Sequence, residues 1–555
     1  MISAIQADFA SLAEKPALVV GPPEETMLPM PDGVRLYTVK RVPSAAGPFP
    51  TILMRSCYPK QIPMLHTFAE QFCRHGFAFV YQFCRGSGES EGEWVPNIHE
   101  RQDGKETLDW LNAQEWVENI GYWGCSYLAL TGWAMADIVP EKVKTLYLTH
   151  YGTDRFTSAY QGGLFRQDVL TAWAMENAGF PVKADYMESV RYRPQAEVDE
   201  KLWGCRLDWY RDWITHTDRD DPYWSEGFWG MLKGIPAKVK IPVYIGEGWY
   251  DHHLGSALRT FEALSPESRA HSVLRVGAWN HGFGPCVEGT ACDHLENSDA
   301  LSAFSWFDTI LRKKTLPEGK VRIYQIGADR WQEKSAFPFS CKNVRRFYLN
   351  AASAQEDARL LADMVPPEQS SVSYRYDPDN PVPSHGSESL LRTFGEIGSL
   401  RQPACGWRKD VVSFVSAPVE SDLEILGKIE VELYVSSTAD DTAFTAKLME
   451  VYPDGSAYNI RSGITTLAYR EDADRPRTEY VAGNTVEARI VLWDISWRLH
   501  AGSRLRVDIS SSDSPQYAVH TNYKGVWALQ KKARTAEQTI YTGADTPSQV
   551  LLSVQ

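Results

Sequence analysis

The sequence predicts an α/β protein: a doubly wound sheet domain, interrupted by a helical insertion and followed by a β-sandwich. Three observations predict it. Up to about residue 340, short apolar runs alternate with helical patterns. Residues 151–238 break that alternation. From about residue 340 onward, many short alternating strands separated by turn residues replace the helices.

PTILMRS (50–56), FAFVYQF (77–83), NIGYWG (119–124), KTLYLTH (144–150), KIPVYIGEG (240–248) and SVLRVGA (272–278) are apolar on consecutive residues. Strands of that kind suit a parallel sheet covered on both faces. HERQDGKETLDWLNAQEW (99–116) and YLALTGWAMADIV (127–139) supply helices between them. The interval 151–238 has no strand run and is dense in aromatics, as in DWYRDWITHTDRDDPYWSEGFW (208–229), and reads as a helical cap over the carboxyl edge of the sheet. The expected organisation is therefore a sheet domain over 1–150 and 239–338, a cap over 151–238 and a sandwich over 339–555. No internal repeat or low-complexity segment stands out.

Composition narrows the function classes. The 555 residues are long enough for two or three domains, and 43% hydrophobic with 23% charged is ordinary for a globular chain with a real core. A net charge of −14 argues against a nucleic-acid partner. No run of about 20 apolar residues calls for a membrane span. The start, MISAIQADFASLAEK, lacks the basic and apolar pattern of a secretory signal. Nine cysteines, an odd number with no C-x-x-C pair, read as reduced thiols in a cytoplasmic protein. The acidic surface and sandwich edges neither require nor exclude a homo-oligomer.

The chemistry centres on GYWGCSYLAL (121–130), where Gly124-Cys125-Ser126 joins a strand to a helix. An α/β-hydrolase holds its nucleophile on such a turn. The flanking positions must be small: Gly124 serves before the serine, and Ala129 serves after it, one place later than G-x-S-x-G expects. The helix N-terminus then favours developing negative charge. Neighbours on an elbow point in different directions, so Cys125 is read as a small residue turned into the fold and Ser126 as the nucleophile. The fold demands an acid and then a histidine, each at a strand tip. KIPVYIGEG runs into Asp251, and SVLRVGA runs into His281. Glu247 is a rival acid, but it lies before the strand tip and reads as a supporting group. His252 and His253 beside Asp251 invite a metal reading, yet no third ligand cluster accompanies them, so no metal or cofactor is expected.

These motifs resemble the X-prolyl dipeptidyl-peptidase/cocaine esterase/α-amino-acid ester hydrolase family (CocE/NonD type) over nearly the whole chain. MPDGVRL (30–36) resembles its opening strand, MRSCYPK (54–60) its arginine–tyrosine–lysine segment, and CRGSGESEGEW (84–94) the loop that follows. GCSYLA is similar to its elbow, while GWYDHH (248–253) and GAWNHG (277–282) resemble its acid and histidine motifs. YRYDPDNPVPSHG (374–386) and DTAFTAKLMEVYPDG (441–455) resemble its C-terminal jelly roll. The resemblance implies an α/β-hydrolase fold with a helical cap and a jelly-roll domain. It further implies Ser126 as nucleophile, His281 as base, Asp251 as orienting acid, and an oxyanion hole of the Tyr58 hydroxyl and the Tyr127 N–H. By the same resemblance Trp173 is an apolar wall of the substrate pocket. The chain departs from the family at Cys57, Phe83, Ala278 and the pair His252-His253; the two histidines fall where the family contacts substrate, and Cys57, before the oxyanion tyrosine, is expected in the substrate pocket with them. The expected activity is hydrolysis of an ester or amide of a small acyl compound. An Xaa-Pro aminopeptidase, holding its substrate's amine on cap carboxylates such as Glu176, Asp185 or Glu188, and an acyl transferase or cyclase are the alternatives.

Overall fold

The computed structural model describes residues 2–13, 18–339, 343–355, 357–388, 396–476 and 479–555. The apolar runs form a twisted mixed sheet. In chain order its strands are β1 (Glu24–Pro29), β2 (Arg35–Arg41), β3 (Phe49–Ser56), β4 (Ala78–Phe83), β5 (Val117–Cys125) and β6 (Val143–Thr149). A small hairpin of β7 (Tyr160–Gln161) and β8 (Leu164–Phe165) stands apart. The sheet resumes with β9 (Val243–Gly248), β10 (Val273–Gly277), β11 (Lys320–Gln325) and β12 (Arg330–Lys334). Its order is β1-β2-β4-β3-β5-β6-β9-β10-β11-β12, parallel from β4 to β11 and antiparallel at both ends. Strands β3, β4, β9 and β10 are buried at every residue, as their unbroken apolar runs require when helices cover both faces.

Helices α1 (Glu100–Asn112) and α2 (Tyr127–Trp133) pack beside β5. The second is shorter than the pattern 127–139 predicts, because the chain turns after Trp133 to enter β6 at Val143. MPDGVRL also differs from expectation: residues 30–34 form the turn of the β1–β2 hairpin, and only Arg35 and Leu36 lie in a strand.

Between β6 and β9 the chain builds the helical insertion, including α3 (Arg155–Ala159), α4 (Gln167–Glu176) and α5 (Asp208–Thr215). The β7–β8 hairpin, which two-residue strands hide from any alternation signal, turns at Gly162 and Gly163, both at positive φ. Its tip docks on the second sheet, where the Thr466 N–H donates to the Gly162 carbonyl at 2.9 Å.

That second sheet system runs from Asn343–Gln355 to Gln549–Val554 and is antiparallel in every pairing except Ala358–Ala362 with Val412–Ser416. Strand Ser370–Tyr376 alternates exposed and buried residues, the signature of one face on a core and one in water. A buried charge network ties it to the insertion. Glu388 accepts from Arg166 at 2.6 Å and from Arg461 at 3.1 Å, and the Arg166 guanidinium lies 4.0 Å from the Trp493 ring centre. The cysteines among the described residues are all free thiols; Cys341 lies outside them. No helix of the described residues is long and apolar enough to cross a membrane.

Candidate active site

Four neighbouring strands of the sheet, β5, β6, β9 and β10, end at one place. Ser126 follows β5 directly, His150 follows β6 directly, Asp251 stands three residues past β9, and His281 four past β10. Parallel strands carry all their carboxyl ends to the same edge, so residues far apart in sequence converge there.

Ser126 sits at φ +59° and ψ −126°, a conformation an L-residue adopts only when its surroundings force it. Its N–H is tied to the Thr149 carbonyl at 2.9 Å, and its own carbonyl accepts from Ala129 and Leu130 at 2.8 and 3.1 Å. Gly124 is obligatory for this turn: a Cβ there would lie 2.2 Å from the Leu128 carbonyl oxygen and 2.6 Å from the Ala129 nitrogen. The crowding falls on Leu128 and Ala129, which is why a small residue one place beyond the usual glycine suffices.

Ser126 Oγ is 2.8 Å from Nε2 of His281, and Nδ1 of His281 is 2.7 Å from Oδ2 of Asp251. The other Asp251 oxygen accepts the His253 N–H at 2.7 Å. Burial alone would raise the Asp251 carboxyl, but the His281 charge, the His150 hydrogen bond and the His252 charge hold it well below the usual carboxylate range. Cys125 is drawn the other way: burial pushes its thiol up, so it is protonated at neutral pH. Sequence proximity therefore offers two nucleophiles, and only the hydroxyl meets a base.

Tyr58 and Tyr127 also meet here, with ring centres 6.4 Å apart. Tyr127 opens α2, so its N–H belongs to the set a helix leaves without an intrahelical acceptor. Its hydroxyl accepts from the Asn97 N–H at 2.8 Å and donates to Glu100 at 2.9 Å, which fixes the ring. The Trp173 indole N–H donates to the Tyr58 oxygen at 2.9 Å, and the Cys57 side chain is a second hydrogen-bond neighbour of the same hydroxyl. Trp173 is thus more than the apolar wall expected of it, although its ring does stack on Tyr127 at 5.9 Å.

A small cavity opens over Ser126 and His281. Its remaining walls are Asn97, Tyr127, Tyr151, Arg155, Val169, Leu170, Trp173, Trp213, His252 and His253. Cys57, expected in the pocket, is buried in the core behind this surface and does not line the cavity. His252 and His253 do line it, with ring centres 4.8 and 5.6 Å from that of His281; burial pulls both imidazoles well below their usual range and keeps them neutral. None of the lining residues is a carboxylate, and Glu176, Asp185 and Glu188 are exposed away from it.

Sequence reasoning passed over two residues, His150 and Arg155, and read Glu247 as a supporting group. His150 and Glu247 back Asp251, with His150 Nδ1 at 2.9 Å from Asp251 and 3.2 Å from Glu247. His150 was findable, since it too ends a predicted strand. Arg155 carried no local signal. Nδ1 or carboxylate atoms of His150, Asp251 and His281 come within 4.8 Å of one another, a spacing a metal could use. A metal there would compete with the proton shared between His281 and Asp251.

Comparisons with known proteins bear on the family and the fold. Residues 32–283 match the X-Pro dipeptidyl-peptidase (S15 family) model, and residues 315–551 match the X-Pro dipeptidyl-peptidase C-terminal non-catalytic domain. The cocaine esterase of Rhodococcus sp. (strain MB1 Bresler) is 31% identical over 95% of this chain and 97% of its own. The chain belongs to the S15/CocE/NonD family of serine hydrolases. Solved structures of this fold include an aminopeptidase from a marine sediment Thaumarchaeota archaeon, with a TM-score of 0.81, 20% identity and 98% of each chain covered. An α-amino acid ester hydrolase superposes equally well, at 0.81 and 22% identity over 98% of each chain. The family's α/β-hydrolase domain, helical insertion and C-terminal β domain are the architecture described above.

Proposed function

We propose that this serine hydrolase cleaves an ester or amide of a small acyl compound, with Ser126 as nucleophile, His281 as base and Asp251 as orienting acid. The observation that carries the reading is the continuous relay from Ser126 Oγ through His281 to Asp251, at 2.8 and 2.7 Å, on a strained elbow. Ser126 Oγ adds to the scissile carbonyl as its proton passes to His281 Nε2. The oxygen that gains charge takes hydrogen bonds from the Tyr58 hydroxyl and the Tyr127 N–H. The bond to the leaving group then breaks, and the His281 proton goes to that group. Water adds to the acyl-enzyme, returns a proton through His281, and frees the acid and Ser126.

A cavity lining without carboxylates favours this reading over an Xaa-Pro aminopeptidase, which must hold a free ammonium group. The test is a set of initial rates on short and aromatic p-nitrophenyl esters, an α-amino ester and Gly-Pro-p-nitroanilide, with Ser126→Ala as the blank. Serine-dependent turnover of the esters and silence on the anilide are expected. Turnover of the anilide in preference to the esters would overturn the esterase reading.

A further inference from the structure

The cavity holds a cation that the reaction scheme does not use. Arg155 opens α3 and is only 7% exposed, yet it lines the same space as Ser126 and His281. Among the described residues no carboxylate comes within ion-pair distance of it, and its buried Nε has no hydrogen-bond partner. Its company is aromatic: the guanidinium carbon lies 4.6 Å from the Trp213 ring centre and 5.8 Å from that of Trp229. The Tyr151 phenol hydrogen-bonds its guanidinium and feels its charge, but it is neutral and supplies no counter-charge.

The contrast with the other buried arginines is informative. Arg55 has Glu100, Arg166 has Glu388 and Arg219 has Asp154, each within 3.1 Å. A buried charge left without a counter-ion is costly and is ordinarily paired. Aromatic faces offset only part of that cost. The described residues supply no anion, and the cavity that Arg155 shares with the nucleophile is a space from which one can come.

We infer that the substrate carries its own carboxylate, which Arg155 binds while Ser126 attacks the ester or amide carbonyl of the same molecule. A guanidinium presents a planar fork of donors that matches a carboxylate with two parallel hydrogen bonds. Val169, Leu170, Trp173 and Trp213 give the cavity apolar walls, and Asn97, Tyr151, His252 and His253 add neutral polar ones, so the rest of the substrate is uncharged and largely hydrocarbon or aromatic. This deepens the hydrolase reading above and rests on it. The carboxylate can sit on the acyl part, as in a hemiester of a dicarboxylic acid, or on the leaving alcohol, as in an acylated hydroxy acid.

The experiment compares kcat/KM for mono-p-nitrophenyl glutarate with that for p-nitrophenyl valerate, which has the same chain length without the charge. O-butyryl lactate against ethyl butyrate forms the second, alcohol-borne pair. Wild-type protein should prefer the anionic member of one pair, and which pair shows the preference identifies the side that carries the carboxylate. Arg155→Gln should lower that anionic-to-neutral ratio roughly 10- to 100-fold, the range for a charge-assisted hydrogen bond, and Arg155→Lys should restore part of it. Because each ratio comes from one preparation, partial misfolding cancels. If Arg155→Gln yields no folded protein, the wild-type ratios and competitive inhibition by glutarate decide the matter. Equal wild-type rates within both pairs, or a ratio unmoved by Arg155→Gln, would overturn the inference while leaving the hydrolase reading intact. Turnover that survives Ser126→Ala would instead sink the hydrolase reading.

Discussion

Nδ1 of His150 lies 2.9 Å from Oδ2 of Asp251, the same oxygen that stands 2.7 Å from His281. One carboxylate oxygen thus serves two imidazoles, and Glu247 closes the group from 3.2 Å. His150 is fully buried at φ +53°, a conformation its sheet neighbours impose. It acts on the relay by holding Asp251 in place, not by touching the reacting atoms.

That arrangement predicts how stability depends on pH. Burial pulls the His150 imidazole down, but the hydrogen bonds and charges of Asp251 and Glu247 more than reverse this and raise it to about 10. Burial and the Asp251 charge push Glu247 up to about 8. In both cases the folded protein binds the proton more tightly than the unfolded chain does. The histidine's contribution is complete below its ordinary value near 6.5 and is lost as pH climbs towards 10; the carboxyl's is lost between about 4.5 and 8. Tm should therefore fall as pH rises from about 6.5 to 10, and His150→Gln should flatten that fall. A Tm profile as steep in the variant as in the wild type would contradict the coupling.

Tyr58 and Trp173 predict a graded loss. Tyr58→Phe removes the proposed oxyanion donor and should cost about 2.7–4 kcal/mol in the transition state, seen in kcat more than in KM. Trp173→Phe keeps a ring against Tyr127 but loses the N–H that holds the Tyr58 oxygen. It should lower kcat by roughly tenfold, about the value of one ordinary hydrogen bond. Steady-state kinetics on one p-nitrophenyl ester measures both, and an unchanged kcat in Tyr58→Phe would remove the phenol from the scheme.

The two nucleophilic side chains at the elbow predict opposite outcomes. Ser126→Ala should abolish turnover and labelling by an active-site phosphonate. Cys125→Ser should retain most of both, because the thiol is held protonated against Thr149 while His281 bonds Ser126. The reverse pattern would reassign the nucleophile.

Glu388 predicts a purely structural effect. Its carboxylate bridges Arg166 of the insertion and Arg461 of the β domain, all three buried. Glu388→Gln leaves two buried guanidinium groups without their counter-charge and should destabilise the fold by about 3–5 kcal/mol in urea titration. A loss below about 1 kcal/mol would mean that water reaches the group.

Much of this molecule can be read from its chain. The parallel strands announce themselves as unbroken apolar runs, the C-terminal strands as alternation, and Ser126, Asp251 and His281 as residues just past three such runs in the order the fold demands. The errors are local ones. MPDGVRL reads as a strand because its flanks are apolar, whereas Asp32-Gly33 makes it a turn. The β7–β8 hairpin is too short to show a period. Cys57 was placed in the pocket, but its thiol is buried beside the Tyr58 hydroxyl and does not line the cavity.

Sequence alone determined the layers of the fold and the three residues of the relay, because hydrophobic period and strand order are written locally and parallel strands bring their tips to one edge. Only the tertiary structure decided that His150 and Glu247 converge on Asp251, that Trp173 holds the Tyr58 oxygen, and that Arg155 is buried beside Ser126 with no counter-ion among the described residues. Those facts depend on which charges and donors from distant segments end within about 3 Å of one another, or fail to, and side-chain packing in three dimensions sets that distance.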